Sequence, residues 1–172
     1  MIFTAHADGR LLIEARSARC ALGRAGVVSA AAKVEGDGAS PAGVWPLRRV
    51  LYRPDRGGRP ETGLPIAPLA PHDGWCDAPG DGAYNRQVTL PHGARAERLW
   101  REDGLYNLMA VLGHNDAPVA LGAGSAIFLH VARPDYSPTD GCVALARADL
   151  EALLALAEPG DALAIVASGL GS

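Results

Sequence analysis

Short apolar segments separated by turn-forming residues recur along most of the chain. Residues 2–5 and 11–15 flank Asp8-Gly9, and apolar segments on both sides of such a dipeptide predict a β-hairpin. Residues 30–34 suit either a strand or a helix. Further apolar segments predict strands at residues 19–22, 27–28, 44–50, 108–112, 126–129 and 161–166.

One segment has the spacing of an amphipathic helix. In residues 146–156 and just beyond, the apolar side chains that share one face are Leu150, Leu153, Leu154 and Ala157. Pro159-Gly160 then ends the helix. Residues 97–106 are predicted to form one or two helical turns before a strand. Many short strands and one clear helix predict a mostly-β domain, a sandwich or barrel with a helix near its end, and not a doubly wound sheet.

The composition supports a chain rich in turns. It contains 21 glycines and 13 prolines among 172 residues, which favours short elements. Residues 52–71 are long for a connection without regular structure, and such loops are often functional. Their apolar side chains, Leu64, Ile66 and Leu69, predict that this loop packs on the core.

The length predicts a single domain over residues 1–172. The net charge of −3 gives no reason to expect nucleic acid as a partner. No run approaches the roughly 18 apolar residues of a membrane span, and the first ten residues have no leader pattern. We therefore expect a cytoplasmic location, although the sequence leaves an unusual export route and the oligomeric state open.

Three cysteines, Cys20, Cys76 and Cys142, do not form a disulfide framework, because their number is odd and no CxxC pair occurs. A Cys20–Cys76 bridge stays an alternative. Cys76 also follows His72 and Asp73, but these residues lack the paired spacing of a zinc motif. The spacing of these residues therefore gives no reason to expect a metal site.

The most informative stretch joins a histidine to a cysteine. The apolar run 126–129 leads into His130, and the turn-rich residues 133–139 lead on to Asp140-Gly141-Cys142. A strand would deliver His130 to a pocket edge, and the loop would return Cys142 beside it. A thiolate is the reactive nucleophile and needs a neighbouring base, so the pair predicts acyl-transfer chemistry. The alternative is that both residues are ordinary members of the core.

Two other loops carry candidate ligand-binding residues. Tyr84, Asn85 and Arg86 have the composition of a ligand-facing loop, although a simple surface turn explains them equally well. His114 and Asn115 end a buried strand, as His130 does, so they are candidates for the same pocket edge, the alternative being a loop cap.

Together these segments resemble the L,D-transpeptidase catalytic (YkuD-like) domain. His130, then Thr139-Asp140-Gly141-Cys142, then Val143-Ala144-Leu145 is similar to the family's active-site signature. The upstream segment Ser40-Pro41-Ala42-Gly43-Val44-Trp45 is similar to a second family motif. The ending of helix, Pro-Gly and strand is also like the family's. The resemblance covers roughly residues 30–166.

The resemblance implies a role for each matching residue. Cys142 would be the nucleophile and His130 its base, while backbone N–H groups of Asp140, Gly141 and Cys142 would form an oxyanion hole. Thr139 would supply a supporting hydroxyl. The implied substrate is a peptidoglycan stem tetrapeptide, which would lose D-Ala as a cysteine thioester forms. The acyl group would pass to an amine or, in an L,D-carboxypeptidase acting on muropeptides, to water. Carbapenem acylation of the cysteine is a further implication, and the resemblance implies no metal and no organic cofactor.

Some residues depart from the family pattern. Asp140 stands where the family usually has histidine, and its charge would oppose thiolate formation unless it pairs with a cation such as Arg133. Ala144 replaces a common arginine, whose substrate contacts Arg86 or Arg133 would then supply. A domain that has lost catalysis and only binds cell-wall peptides or a protein partner is the hypothesis from a different class.

Overall fold

The computed structural model describes residues 1–167. Over this range the chain forms thirteen strands, one α-helix and a short 3-10 helix at Ala30–Ala32. The strands of the first half are β1 (Ile2–His6), β2 (Arg10–Ile13), β3 (Arg16–Ala21), β4 (Val27–Ser29), β5 (Ser40–Tyr52), β6 (Ile66–Pro68) and β7 (Asp73–Cys76). They are followed by β8 (Gln87–Thr89), β9 (Ala96–Arg98), β10 (Leu108–Leu112), β11 (Phe128–Val131), β12 (Val143–Leu145), α1 (Arg147–Leu156) and β13 (Ala162–Val166).

Ten of these strands form one sheet that closes on itself. Its order is β10-β11-β12-β3-β2-β1-β13-β5-β4, with β6 added to β5. The long strand β5 closes the sheet, because its first half pairs with β13 and its second half pairs with β10. The predicted mostly-β fold with a helix after Cys142 is confirmed, and the closed sheet is a barrel.

The barrel encloses the main hydrophobic core. Alternate residues of the hairpin β1–β2, among them Phe3 and Leu11, are fully buried there. The helix α1 covers one side of the core with the face predicted from the sequence, and Leu150, Leu153 and Leu154 are all 0% exposed. Burial of each such leucine stabilises the fold by about 2 kcal/mol.

A smaller sheet, of order β8-β7-β9, stands beside the barrel. Trp75 of β7 packs edge to face on Phe128 of β11, with 5.1 Å between ring centroids. Leu99, Met109 and Cys142 belong to the same second hydrophobic cluster. This cluster joins the small sheet to the barrel, and Cys142 lies at that junction.

Several elements differ from their predictions. The helical turns predicted within residues 97–106 are wrong, because Glu97 lies in strand β9, opposite Trp75 of β7. β5 begins at Ser40, four residues before the predicted strand, and pairs there with β4. Residues 30–34 contain the 3-10 helix, which Ser29 caps.

The long loop of residues 52–71 packs on the molecule as predicted, since Leu64 and Leu69 are buried and β6 lies within it. All three cysteines are buried and free, so the alternative Cys20–Cys76 bridge is absent from the described residues. Among residues 1–167, no helix has the length and hydropathy needed to cross a bilayer. Residues 168–172, which the single-domain prediction includes, lie outside the described residues.

Candidate active site

Strand pairing brings His130 and Cys142 to one face. β11 and β12 are parallel, with Leu129 opposite Val143 and His130 opposite Ala144. Cys142 directly precedes Val143, so it lies opposite Phe128, and Phe128 and His130 point to the same side of their strand. Both reactive side chains line one cavity.

The Cys142 thiol is buried and hydrogen-bonded to the backbone. Its Sγ–H donates to the carbonyl of Ala126 over 3.2 Å, and Sγ accepts the N–H of Phe128 over 3.3 Å. Burial, with a smaller contribution from the carboxylate of Glu97, raises the pKa of the thiol to about 12. The Cys142 thiol therefore rests in its neutral form.

The His130 ring is held in one orientation. Its Nδ1 lies 2.8 Å from the carbonyl of Val131, which accepts a hydrogen bond when this nitrogen carries the proton. In that tautomer Nε2 has a free lone pair. Tyr106 packs against the ring at a centroid distance of 5.3 Å. Burial lowers the pKa of His130 to about 4, so at neutral pH the imidazole is uncharged and able to accept a proton.

Thr139 organises the loop that precedes the thiol. Its hydroxyl donates to the carbonyl of Cys142 over 2.7 Å and accepts the N–H of Gly141 over 3.1 Å. The Gly141 N–H is thus engaged, and an oxyanion would have to take it from Thr139. Ser40 also approaches the Cys142 carbonyl, at 3.4 Å, which ties the upstream Ser-Pro-Ala-Gly segment to the site.

Gly141 occupies a position that suits no other residue. Its φ is +134°, a conformation that side chains disfavour. A Cβ at this position would lie 2.8 Å from the carbonyl oxygen of Ala39. The close approach of the two backbones explains why glycine stands directly before Cys142.

Asp140 pairs with a cation that the sequence did not indicate. Its carboxylate forms an ion pair with Arg24 and is largely exposed. Arg133, which the sequence offered as its partner, lies 3.8 Å from Asp103 instead. The Asp140 charge is therefore paired with a cation, and Glu97 is the carboxylate that raises the Cys142 pKa.

The cavity around the two reactive groups has a volume of about 580 Å³ and a strongly charged wall. Thr139, Asp140 and Arg133 line it together with Cys142 and His130. The other charged side chains of the wall are Arg24, Lys33, Glu35, Asp77, Arg95, Glu97 and Arg101. Groups of both signs thus surround a neutral thiol and a neutral imidazole.

Comparison with sequence models of protein families matches residues 2–166 to the L,D-transpeptidase catalytic domain. The match spans nearly the whole chain, including both strands of the site. The chain belongs to the L,D-transpeptidase family. Its catalytic domains act on peptidoglycan peptides. Neither the curated proteins nor the solved structures include a significant match.

In this L,D-transpeptidase domain, Asn85 lies behind the cavity wall. Its side-chain oxygen accepts hydrogen bonds from Trp75 Nε1 over 2.9 Å and from the N–H of Ala126 over 3.1 Å. Its amide nitrogen donates to the carbonyls of His114 and Asn115. Asn85 therefore fixes Ala126, whose carbonyl accepts the Cys142 thiol. The sequence had left a ligand-facing loop and a simple surface turn as equal alternatives for this segment.

The other loop residues that the sequence offered for ligand binding also lie outside the residues that line the cavity. Tyr84 is buried and donates to Glu35 over 2.5 Å. His114 Nε2 lies 3.0 Å from the carbonyl of Ala123, and Asn115 bonds to the backbone of Ala120 and Gly124. Arg86 is exposed. These residues shape the loop behind the cavity.

Sequence reasoning missed the charged cluster beside His130. Tyr106 donates to Glu97 over 2.6 Å, and Arg101 lies 3.3 Å from Glu97 and close to Asp103. Burial raises the pKa of Glu97. The available signal was a carboxylate, an arginine and a tyrosine within ten residues, but the segment containing them was interpreted as helical.

Proposed function

We propose that the domain catalyses L,D-transpeptidase-type acyl transfer with Cys142 as nucleophile and His130 as base. The observation that carries the proposal is that His130, on β11, and Cys142, directly before the paired strand β12, line one cavity. A catalytic base must be neutral before it accepts a proton, and the lowered pKa of His130 meets that requirement.

The proposed reaction begins with proton transfer from Sγ to His130 Nε2 as sulfur attacks the peptide carbonyl. The carbonyl oxygen becomes an oxyanion, held by backbone N–H groups near Cys142. Collapse of the tetrahedral intermediate breaks the C–N bond, and the imidazolium returns its proton to the departing amine of D-Ala. The product is a Cys142 thioester, which an amine or water then attacks with His130 again acting as base.

The charged wall supports a stem peptide or muropeptide as substrate. Such peptides carry carboxylates and, at the diamino acid, an ammonium group. Arg24 and Arg133 can pair with carboxylates, and Glu35 or Asp77 can pair with an ammonium group. These pairings orient the donor in the cavity and do not involve a cofactor.

Hydrolysis of the thioester, an L,D-carboxypeptidase activity, is the second candidate. The loop between His130 and Cys142 supports it, because Thr139 is bound through its N–H and carbonyl to Leu22 and Arg24 beside β3. We propose that a loop held there does not close over the thioester, so that water can act as the acceptor. We propose a cytoplasmic site of action, where recycled muropeptides are available, and the three reduced cysteines suit that compartment.

Incubation with a disaccharide tetrapeptide tests the proposal and separates the two acceptors. Transfer predicts dimers or exchanged D-amino acids, whereas hydrolysis predicts tripeptide and free D-Ala. The Cys142→Ala variant is expected to release no D-Ala. If neither the native protein nor the Cys142→Ala variant consumes the tetrapeptide, but both bind it, the domain is a binding module and the catalytic proposal fails. Fractionation of cells tests the location separately.

A further inference from the structure

Outside the active site, the small sheet brings together three side chains that can bind a transition metal. Cys76 ends β7, Asp81 lies in the following turn, and His92 comes after β8. One ligand atom from each lies within 4.8 Å of the other two. The sequence had suggested only His72 and Asp73 as neighbours of Cys76, so this grouping arises from the fold.

The donor atoms are already directed into a small shared space. His92 Nε2 is buried and lies 3.2 Å from Asp81 Oδ1, with which it forms an ion pair when the ring is protonated. A cation bound between these two atoms would accept a lone pair from each of them. Asp81 is held in place because its Oδ1 accepts the N–H of Ala83 over 2.7 Å.

The donor set and its spacing fit zinc. Ligands of tetrahedral Zn²⁺ lie about 3–4 Å apart, because Zn–S bonds are about 2.3 Å and Zn–N bonds about 2.0 Å. A contraction of about 1 Å would therefore bring Cys76, Asp81 and His92 into range. The side chains of Asp81 and His92 are 25% and 23% exposed, which leaves an entry path and room for water as the fourth ligand.

We propose that Cys76, Asp81 and His92 form a Zn²⁺ site that fixes the loop behind the active site. Cys76 is fully buried, and its backbone pairs with Asn85 and Arg86, each over 2.9 Å. A metal bound there would link Cys76 to Asp81 and so fix the turn that leads from Cys76 to Asn85. Asn85 holds Ala126, so the site would stabilise the acceptor of the Cys142 thiol hydrogen bond.

Cobalt titration tests the metal site directly. The Cys142→Ala variant is used because it lacks the active-site thiol. It is treated with a chelator and then titrated with Co²⁺. We expect one equivalent to bind with a thiolate-to-cobalt charge-transfer band, which Zn²⁺ then displaces. Cys76→Ser should abolish the band, while Cys20→Ser, a matched buried cysteine in β3, should leave it unchanged.

Asp81→Asn and His92→Gln keep the proposal testable if Cys76→Ser does not fold. Each is expected to weaken Zn²⁺ binding by at least about tenfold, while circular dichroism confirms the fold. Absence of the band, or a band that persists in folded Cys76→Ser, would overturn the proposal. Equal Zn²⁺ affinity in all of these variants would also overturn the proposal. The assay measures no turnover, so its outcome is independent of the proposed acyl transfer.

Discussion

At the scale of single residues, the main feature is that the Cys142 thiol and the His130 imidazole rest in their uncharged forms. Burial raises the pKa of Cys142 to about 12 and lowers that of His130 to about 4. A preformed thiolate–imidazolium pair would require the opposite shifts. In the proposed reaction, proton transfer from Cys142 to His130 therefore accompanies attack on the carbonyl, when substrate is in the cavity.

Alkylation of Cys142 in the free enzyme should consequently depend on pH through the thiolate fraction alone. With a pKa of about 12, the iodoacetamide rate should rise about tenfold per pH unit between roughly pH 6 and 9. Mass spectrometry of a Cys20→Ser, Cys76→Ser double variant isolates the signal. A plateau in rate at neutral pH would indicate an ion pair and contradict this description.

The buried histidine should also make stability depend on pH. The pKa of His130 is about 4 in the folded state against an ordinary value of 6.5, so the unfolded chain takes up the proton first as pH falls. The free energy of unfolding should decrease by about 3 kcal/mol between pH 7 and 4 on account of this group. Urea denaturation at both pH values measures the change.

The matched variant for that measurement is His130→Asn, which cannot be protonated. The native protein should lose about 3 kcal/mol more than the variant between the two pH values. Equal losses would mean that His130 is protonated in the folded protein without penalty.

At the scale of elements, the active site depends on two loops that hold strands β11 and β12 in register. One is the turn at Gly141, where a Cβ would meet the Ala39 carbonyl at 2.8 Å. Gly141→Ala should lower stability by about 1–3 kcal/mol and displace Cys142, because both φ and space are unsuitable. Thermal denaturation and D-Ala release measure the two effects. Gly80→Ala, where a Cβ meets nothing within 4 Å, should change neither.

The other loop is held by Asn85. Asn85→Asp keeps the acceptor for Trp75 and Ala126 but replaces the donor that bonds to the carbonyls of His114 and Asn115. An oxygen facing two buried carbonyls should cost about 2 kcal/mol or more and lower kcat. Urea denaturation and turnover are compared with Arg86→Ala, an exposed neighbour expected to be neutral. Unchanged stability in Asn85→Asp would remove Asn85 from its assigned role.

The same scale shows where sequence reasoning succeeds and where it stops. The hairpin β1–β2, the buried strand β10 and the helix α1 follow from local patterns that one element carries alone. Glu97 was assigned to helical turns because its strand is short and is defined by pairing with β7, a contact between distant segments.

The site divides in the same way. The positions of Cys142 and His130 could be predicted because each sits beside an apolar strand in a recognisable motif. The roles of Tyr84 and Asn85 could not be predicted. In the sequence, a polar loop residue whose side chain faces solvent cannot be distinguished from one that satisfies buried backbone groups. The partner of Asp140, Arg24, is more than a hundred residues away in sequence.

At the scale of the whole molecule, the cavity lies where the barrel meets the small sheet. The barrel contributes Cys142 and His130, and β9 of the small sheet contributes Glu97. A second hydrophobic cluster containing Trp75, Phe128 and Cys142 joins the two parts. The positions of Cys142 and His130 therefore depend on packing between the two sheets. This explains why residues far from the thiol control its position and its surroundings.

The most direct test of the account is to trap the acyl-enzyme with disaccharide tetrapeptide and locate the adduct by peptide mass mapping. We expect a mass increase equal to the bound donor less D-Ala, confined to the peptide that contains Cys142 and absent from Cys142→Ala. D-Ala release that persists in Cys142→Ala, or an adduct on Cys20 or Cys76 in its place, would contradict the assignment of Cys142 as the nucleophile.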